Sequence, residues 1–310
     1  MRSSTASHYV RGALYGLSAV CIWASFIVVS RLGVRTNLTP WDIVAIRFGV
    51  AGVILAPFLL RRGFALDRLG WAGLVAVVAG GGAPMVLLVN TGLLFAPAAH
   101  AGALFPGVMP LFVALLAAMV LKEALTLFQK AGLLLIAPGA IAIVWVSGVT
   151  PGLSQVVGHL LFLAAGLAWA SYTVAMRGAR LGGLHAAAIS AVLSFVFYLP
   201  IYFAFAPKTL FEAPLFDVVL QAVVQGILTA IVALLLYGRV VALLGATGGA
   251  AFVALTPATT ALLAIPVLGE WPAAVDWVAI GMISIGVYFV SGGPLPGRRA
   301  DAKAPANAPR

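Results

Sequence analysis

Ten apolar runs, each about twenty residues long, follow one another along this chain with little between them. They fall at about 10–31, 40–60, 70–90, 97–121, 127–147, 157–177, 184–206, 216–237, 246–268 and 274–292. A helix needs about 20 apolar residues to cross the hydrocarbon layer, because each residue advances it only ~1.5 Å. In lipid every backbone N–H and C=O must be satisfied within the protein, and a helix does this segment by segment. The runs therefore predict an all-α integral membrane protein with ten transmembrane helices. Composition agrees, with 63% of residues hydrophobic and 8% charged, against about 25% charged in soluble domains. Cys21 is the single cysteine, which excludes an internal disulfide and a thiolate metal site. The net charge of +10 comes from cations set singly between the runs, a pattern of membrane orientation and not of nucleic-acid binding.

Placing the N-terminus inside puts fourteen Lys and Arg on the cytoplasmic side and three opposite, with Arg47 inside a span. Positive residues collect on the cytoplasmic side, so both termini are expected there. Residues 1–9 are read as an N-terminal cytoplasmic segment and 293–310, rich in Pro, Ala and charge, as a disordered cytoplasmic tail. The first run is too long for a secretory signal core and is expected to stay as an uncleaved helix. The abundance of Ala, Gly and Arg suggests a GC-rich bacterium, and hence a multi-pass protein of the bacterial inner membrane.

The runs form two sets. Ile22-Trp23-Ala24-Ser25-Phe26 recurs 146 positions later as Ala168-Trp169-Ala170-Ser171-Tyr172, and each copy leads to an arginine, Arg31 or Arg177. Pro110 and Glu123 recur as Pro257 and Glu270 at offset 147, as does Gly139 as Gly286. The chain is thus read as a duplication, with five-helix repeats over 10–147 and 157–292. An odd number of spans turns the second repeat upside down, giving inverted repeats about an axis in the membrane plane. Substrate sites in such proteins lie near the midplane between the repeats and open to each side in turn.

These residues also carry a resemblance. Thr91-Gly92-Leu93-Leu94, Ala101, Pro110, Lys122-Glu123, Gly132 and Gly139 are similar to the repeat of EamA-type members of the drug/metabolite transporter superfamily. The second copy fits through Tyr237-Gly238, Leu244-Gly245-Ala246, Phe252, Pro257, Leu268-Gly269-Glu270 and Gly281, and Arg47-Phe48 matches that pattern too. The resemblance covers about residues 10–292 and implies a five-plus-five carrier of small metabolites, with YddG-like amino-acid exporters one branch of the family. It names no cargo.

Trp23 and Trp169 stand in the middle of their spans, whereas membrane tryptophans usually occupy the interfacial belts. As a symmetric pair they read as apolar walls of a pocket, with helix packing beside Ala24 and Ala170 as the alternative. Ser25 and Ser171 are expected to bond their own helix backbone. Tyr172 faces either cargo or a neighbouring helix. Gln221, Gln225 and Thr229 recur every four residues and share one helix face, either fastening helices or lining a cavity. His100 is expected as a packing residue, with a site role as the alternative. Arg47 is expected to snorkel or to pair with Asp42, the alternative being a counter-charge for a substrate carboxylate. Glu123 and Glu270 read as anchors for neighbouring helix ends. The Gly80-Gly81-Gly82-Ala83-Pro84 stretch, and Pro106 with Pro110, should interrupt the third and fourth spans.

The candidate substrate-binding set is therefore Trp23, Trp169, Tyr172, Gln225, Thr229, His100 and Arg47, with Pro110, Glu123, Pro257 and Glu270 as structural positions. No catalytic group, metal site or cofactor is expected. The chain has no GxxxxGK[ST] loop, no HExxH and no Asp or Glu at mid-span, which argues against ATP use, enzymatic chemistry and tight ion coupling. Export of amino acids or similar small molecules by alternating access is the leading expectation. Efflux of drugs or other hydrophobic compounds, and a non-transporting sensor or subunit, remain the other readings.

Overall fold

The computed structural model describes residues 2–149 and 153–292, and among these the regular structure is helical. The first two spans are α1 (Arg2–Arg35) and α2 (Pro40–Arg62). The third is α3 (Leu66–Gly81) with α4 (Ala83–Phe95); the fourth is α5 (Ala98–Gly102), a π-helical turn at Ala103–Gly107, and α6 (Met109–Val120). Next come α7 (Leu127–Val149), α8 (Leu153–Gly178) and α9 (Gly183–Phe205). The eighth span is α10 (Leu215–Gln221), a π-helical stretch at Ala222–Val232 and the first part of α11 (Ala233–Val253). A kink at Gly245, where φ is 76°, starts the ninth span, which continues through α12 (Thr256–Leu268); α13 (Ala274–Val290) is the tenth.

Nine of these units are long and apolar enough to cross a membrane, and α13 is apolar but has 17 residues. Helix α1 runs back to Arg2, so residues 2–9 are helical and continuous with the first span. The tail at 293–310 lies outside the described residues.

Local sequence explains the ends and breaks. Thr39 and Asp42 form a capping box at the start of α2, each satisfying the other's backbone N–H. Gly82 is extended (φ −108°, ψ −155°) and divides α3 from α4. The Ala83 N–H after this break is met by Ser194 Oγ of α9 at 2.9 Å, as a membrane interior demands. Pro106 lies inside the π turn, where its missing N–H breaks the regular ladder.

Packing follows the duplication. Helix α1 lies against α11 and α12, and its counterpart α8 lies against α3 and α4. The second span packs on the seventh through α2 and α9, and the fifth on the tenth through α7 and α13. Each of these pairs joins one repeat to the other. The repeats are therefore interleaved, and relative movement of the two halves must pass through their shared interface. Gly132 and Gly286 bring α7 and α13 together so closely that a Cβ at either position meets the other's carbonyl oxygen, at 2.6 and 2.7 Å. Small residues permit this kind of backbone approach between membrane helices.

A candidate substrate cavity between the repeats

A cavity of about 1080 Å³ lies between the two halves. Its deep end is mid-helical, at Trp23, Arg47, Phe105 and Trp169, and its mouth is at Glu123, Arg177, Gly183 and Ser291. The mouth residues share the face on which α1 begins and α13 ends, called here the terminal face.

The opposite, distal face is closed by polar contacts across the repeats. Arg31 Nε lies 2.8 Å from Glu270 Oε1, and Arg31 also donates to the Leu93 carbonyl. Arg35 reaches the same Glu270 oxygen at 3.3 Å, while Glu270 Oε2 accepts the Ala98 N–H at 2.8 Å. At the terminal face, the repeat-related pair Arg177 and Glu123 also meets at 2.8 Å, but in the open. Side-chain exposure is 15% and 14% for Arg31 and Glu270, against 43% and 46% for Arg177 and Glu123. One pair seals a closed face. The other sits at the mouth.

The two tryptophans both line the cavity. Ala24 and Ala170, next to them in sequence, are fully buried against neighbouring helices, which turns the indoles inward. Trp23 packs on Tyr237 with ring centres 5.4 Å apart, and Trp169 lies 5.3 Å from Tyr172 and 6.2 Å from Phe105. Ser25 donates to the Cys21 carbonyl at 2.7 Å and Ser171 to the Leu167 carbonyl at 3.1 Å, so the two hydroxyls are spent on their own helices. Tyr172 and Thr229 line the cavity as well.

Arg47 lines its deep end and is 6% exposed. The expected pairing with Asp42 does not occur. Asp42 is occupied by Tyr202 Oη at 2.6 Å, by Thr39 and by Thr209, all gathered at the distal face. Arg47 instead donates from Nη1 to Gln225 Oε1 at 3.1 Å, and its guanidinium lies 5.1 Å from the Phe26 ring centre and 5.7 Å from that of Phe48. Its Nε has no hydrogen-bond partner, and no ion pair to Arg47 is present among the described residues.

Gln225 is not on the cavity wall. It is fully buried behind Arg47 and donates to Ser30 Oγ at 2.7 Å, while Gln221 donates to the Val29 carbonyl at 2.7 Å. Those two amides fasten the eighth span to α1. The π-helical winding of this stretch explains the third member of the row, because Thr229 Oγ1 reaches back five residues to the Val224 carbonyl at 2.7 Å.

His100 is also absent from the central cavity, and it is not solitary. It lines a second, smaller cavity of about 410 Å³ at the distal face, with Arg31, Arg35, Glu270 and Asp276. His159 and Asp276 both contact it. Glu270 Oε2 accepts the N–H of Ala98, the first residue of α5. Pro110 and Pro257 sit in the first turns of α6 and α12, where a missing N–H is harmless. No group of three or more His, Cys, Asp and Glu among the described residues has the makings of a metal site.

Sequence reasoning missed Tyr237, Phe105 and His159. Nothing local in their apolar runs marks the inward direction of Tyr237 and Phe105. His159 carried a usable signal: it lies inside an apolar run, and a buried imidazole needs partners.

No curated protein matches the chain. A solved structure described only as "Crystal structure of protein" is similar with a TM-score of 0.60 at 20% identity, over 91% of this chain and 96% of that one, a likeness of fold. The model of the EamA-like transporter family matches residues 10–145 and 156–292, one match to each repeat, and the chain belongs to that family of membrane transporters.

Proposed function

We propose that this protein exports small carboxylate-bearing metabolites, amino acids foremost, by alternating access through the central cavity. Arg47 carries the reading. A guanidinium buried among aromatic rings at membrane depth, with an amide but no carboxylate beside it, is a costly arrangement unless a charge partner arrives. A substrate carboxylate is such a partner, and Arg holds carboxylates in a planar, two-point geometry. Trp23, Trp169 and Tyr172 then enclose the rest of the molecule, and their ring faces suit an ammonium group.

The excess of Lys and Arg on the terminal face supports reading that face as cytoplasmic. The cavity then opens to the cytoplasm, the loading state of an exporter. The apolar, aromatic lining also suits lipophilic compounds, which keeps drug efflux as the second reading.

Counterflow in proteoliposomes tests the proposal. Labelled amino acids are expected to exchange saturably, and Arg47→Gln to abolish that exchange while leaving monodisperse protein. Exchange of lipophilic cations in place of amino acids would favour drug efflux. Absence of saturable flux for every probe would make the protein a sensor or subunit.

A further inference from the structure

Four polar side chains form a buried array at the distal face, away from the cavity wall. His100 Nε2 lies 3.3 Å from Asp276 Oδ1, and His100 Nδ1 lies 3.0 Å from His159 Nε2 and 3.1 Å from Gln155 Nε2. Exposure is 3% for His100, 0% for His159, 7% for Gln155 and 5% for Asp276. His100 belongs to α5 in the first repeat, and the other three to α8 and α13 in the second. The remaining charged groups near the array are Arg31 and Arg35 of α1 and Glu270, which share the adjoining cavity and are paired with one another. That cavity also touches His100 and Asp276, so water at the distal face has a route to them.

We infer that His100, His159 and Asp276 form a proton-binding site whose occupancy loosens the closed distal face. The argument rests on donors and acceptors. Asp276 accepts, so His100 Nε2 carries a hydrogen toward it. Gln155 Nε2 donates, so His100 Nδ1 must supply a lone pair. His159 then donates its Nε2 hydrogen to that same lone pair, and its own Nδ1 is left with no partner. With His100 neutral, its one lone pair is shared between these two donors.

One added proton on His100 Nδ1 upsets only the side facing α8. The new N–H confronts two donors, Gln155 and His159. Relief comes by turning the Gln155 amide, or by moving the His159 hydrogen to Nδ1, where no acceptor waits. Either change re-pairs the contact between α5 and α8 in a new donor pattern, while the pair between His100 and Asp276 strengthens. Proton binding thus alters how the start of the fourth span seats between α8 and α13.

The fourth span is built to pass this on. The π-helical turn at Ala103–Gly107 follows α5 directly, and π turns are places where helices yield. Phe105 in that turn lines the central cavity and meets Trp169 of α8 edge-on at 6.2 Å. A displacement of α5 relative to α8 is therefore felt at the substrate wall. Resting on the carrier reading given above, this makes the proton a second ligand, coupled to release at the distal face.

The test uses the full chain with Cys21→Ala and spin labels at Thr36→Cys and Trp271→Cys, distal-face positions in different repeats. Pulsed electron–electron distances are recorded in liposomes between about pH 5 and 8, the range in which histidine switches. The expected result is a population at longer distance that grows as pH falls, and that is lost in His100→Gln and in Asp276→Asn. An unchanged distance distribution across this range, or the same pH response in both variants, overturns the proposal. Should either variant fail to stay monodisperse, His159→Asn is used, with the same loss expected and a retained response counting against the site. Counterflow of labelled amino acids by the unlabelled protein is measured in parallel at one pH. Its absence refutes the carrier reading and leaves the pH response of the distal face to be judged separately.

Discussion

Arg31 and Glu270 meet at 2.8 Å across the two repeats, and the duplication maps them onto Arg177 and Glu123, which meet at the same distance on the opposite face. The two pairs have the same chemistry and different surroundings. Where the face is closed the pair is sheltered and Glu270 also holds the Ala98 N–H; where the cavity opens the pair is in water. Exposed pairs contribute only about 0–1 kcal/mol, whereas removing one partner from a buried pair costs about 3–5 kcal/mol. Glu270→Gln should therefore favour opening of the distal face, seen as faster labelling of Ala99→Cys, a buried position at that face, by an impermeant maleimide in a Cys21→Ala background. Glu123→Gln should change thermal stability in detergent by less than about 1 kcal/mol. Equal effects from both substitutions would remove the distinction between a sealed face and an open one.

The aromatic walls give a prediction about transport without folding. Trp23→Ala and Trp169→Ala each remove a partly exposed indole from the cavity while leaving the buried Ala24 and Ala170 contacts intact. Each variant should stay monodisperse and lose at least about tenfold in counterflow, because burial of a ring against a ligand contributes at least ~1.4 kcal/mol. Normal flux in both would detach the tryptophans from the substrate.

Arg47 and Gln225 should separate binding from support. Arg47→Gln removes the only buried cation on the cavity wall among the described residues and should abolish exchange of carboxylates. Gln225→Leu leaves the guanidinium in place but deprives it and Ser30 of a partner, a loss of about 1–3 kcal/mol in stability. Its counterflow should show a raised half-saturation concentration with maximal rate preserved. If Gln225→Leu abolishes exchange as fully as Arg47→Gln does, the amide contacts substrate directly.

The junction of the fifth and tenth spans tests the fold itself. A side chain at Gly286 must enter space occupied by the Gly132 carbonyl and Ile136. Gly286→Val should lower thermal stability by about 1–3 kcal/mol, and Gly132→Val by a similar amount, read by unfolding in detergent. Gly281, which has open space around it, is the control: Gly281→Ala should leave stability nearly unchanged.

Much of the architecture was legible in the residues because a bilayer leaves few choices. Apolar run length marks the spans, and the repeated Trp-Ala-Ser phrase marks the duplication without reference to any contact. The breaks at Gly82 and Pro106 were visible for the same reason, since glycine and proline act on the backbone locally. The side-chain partners were less accessible. Asp42 lies five residues before Arg47 and invites a pair, yet Thr39, Tyr202 and Thr209 claim it first, the latter two from far along the chain.

Sequence by itself determined that the chain must be helical, where its helices begin and fail, and that it consists of two copies of one unit. These follow from period, length and repetition, which are properties of the chain alone. Only the tertiary structure decided which face is shut, which polar groups line the cavity, and that His100 has His159 and Asp276 for company. The physical reason is that polar side chains in a membrane take whichever partner the folded bundle brings within about 3 Å. Arg47 meets Gln225 across 178 residues of chain, a separation that no local pattern encodes.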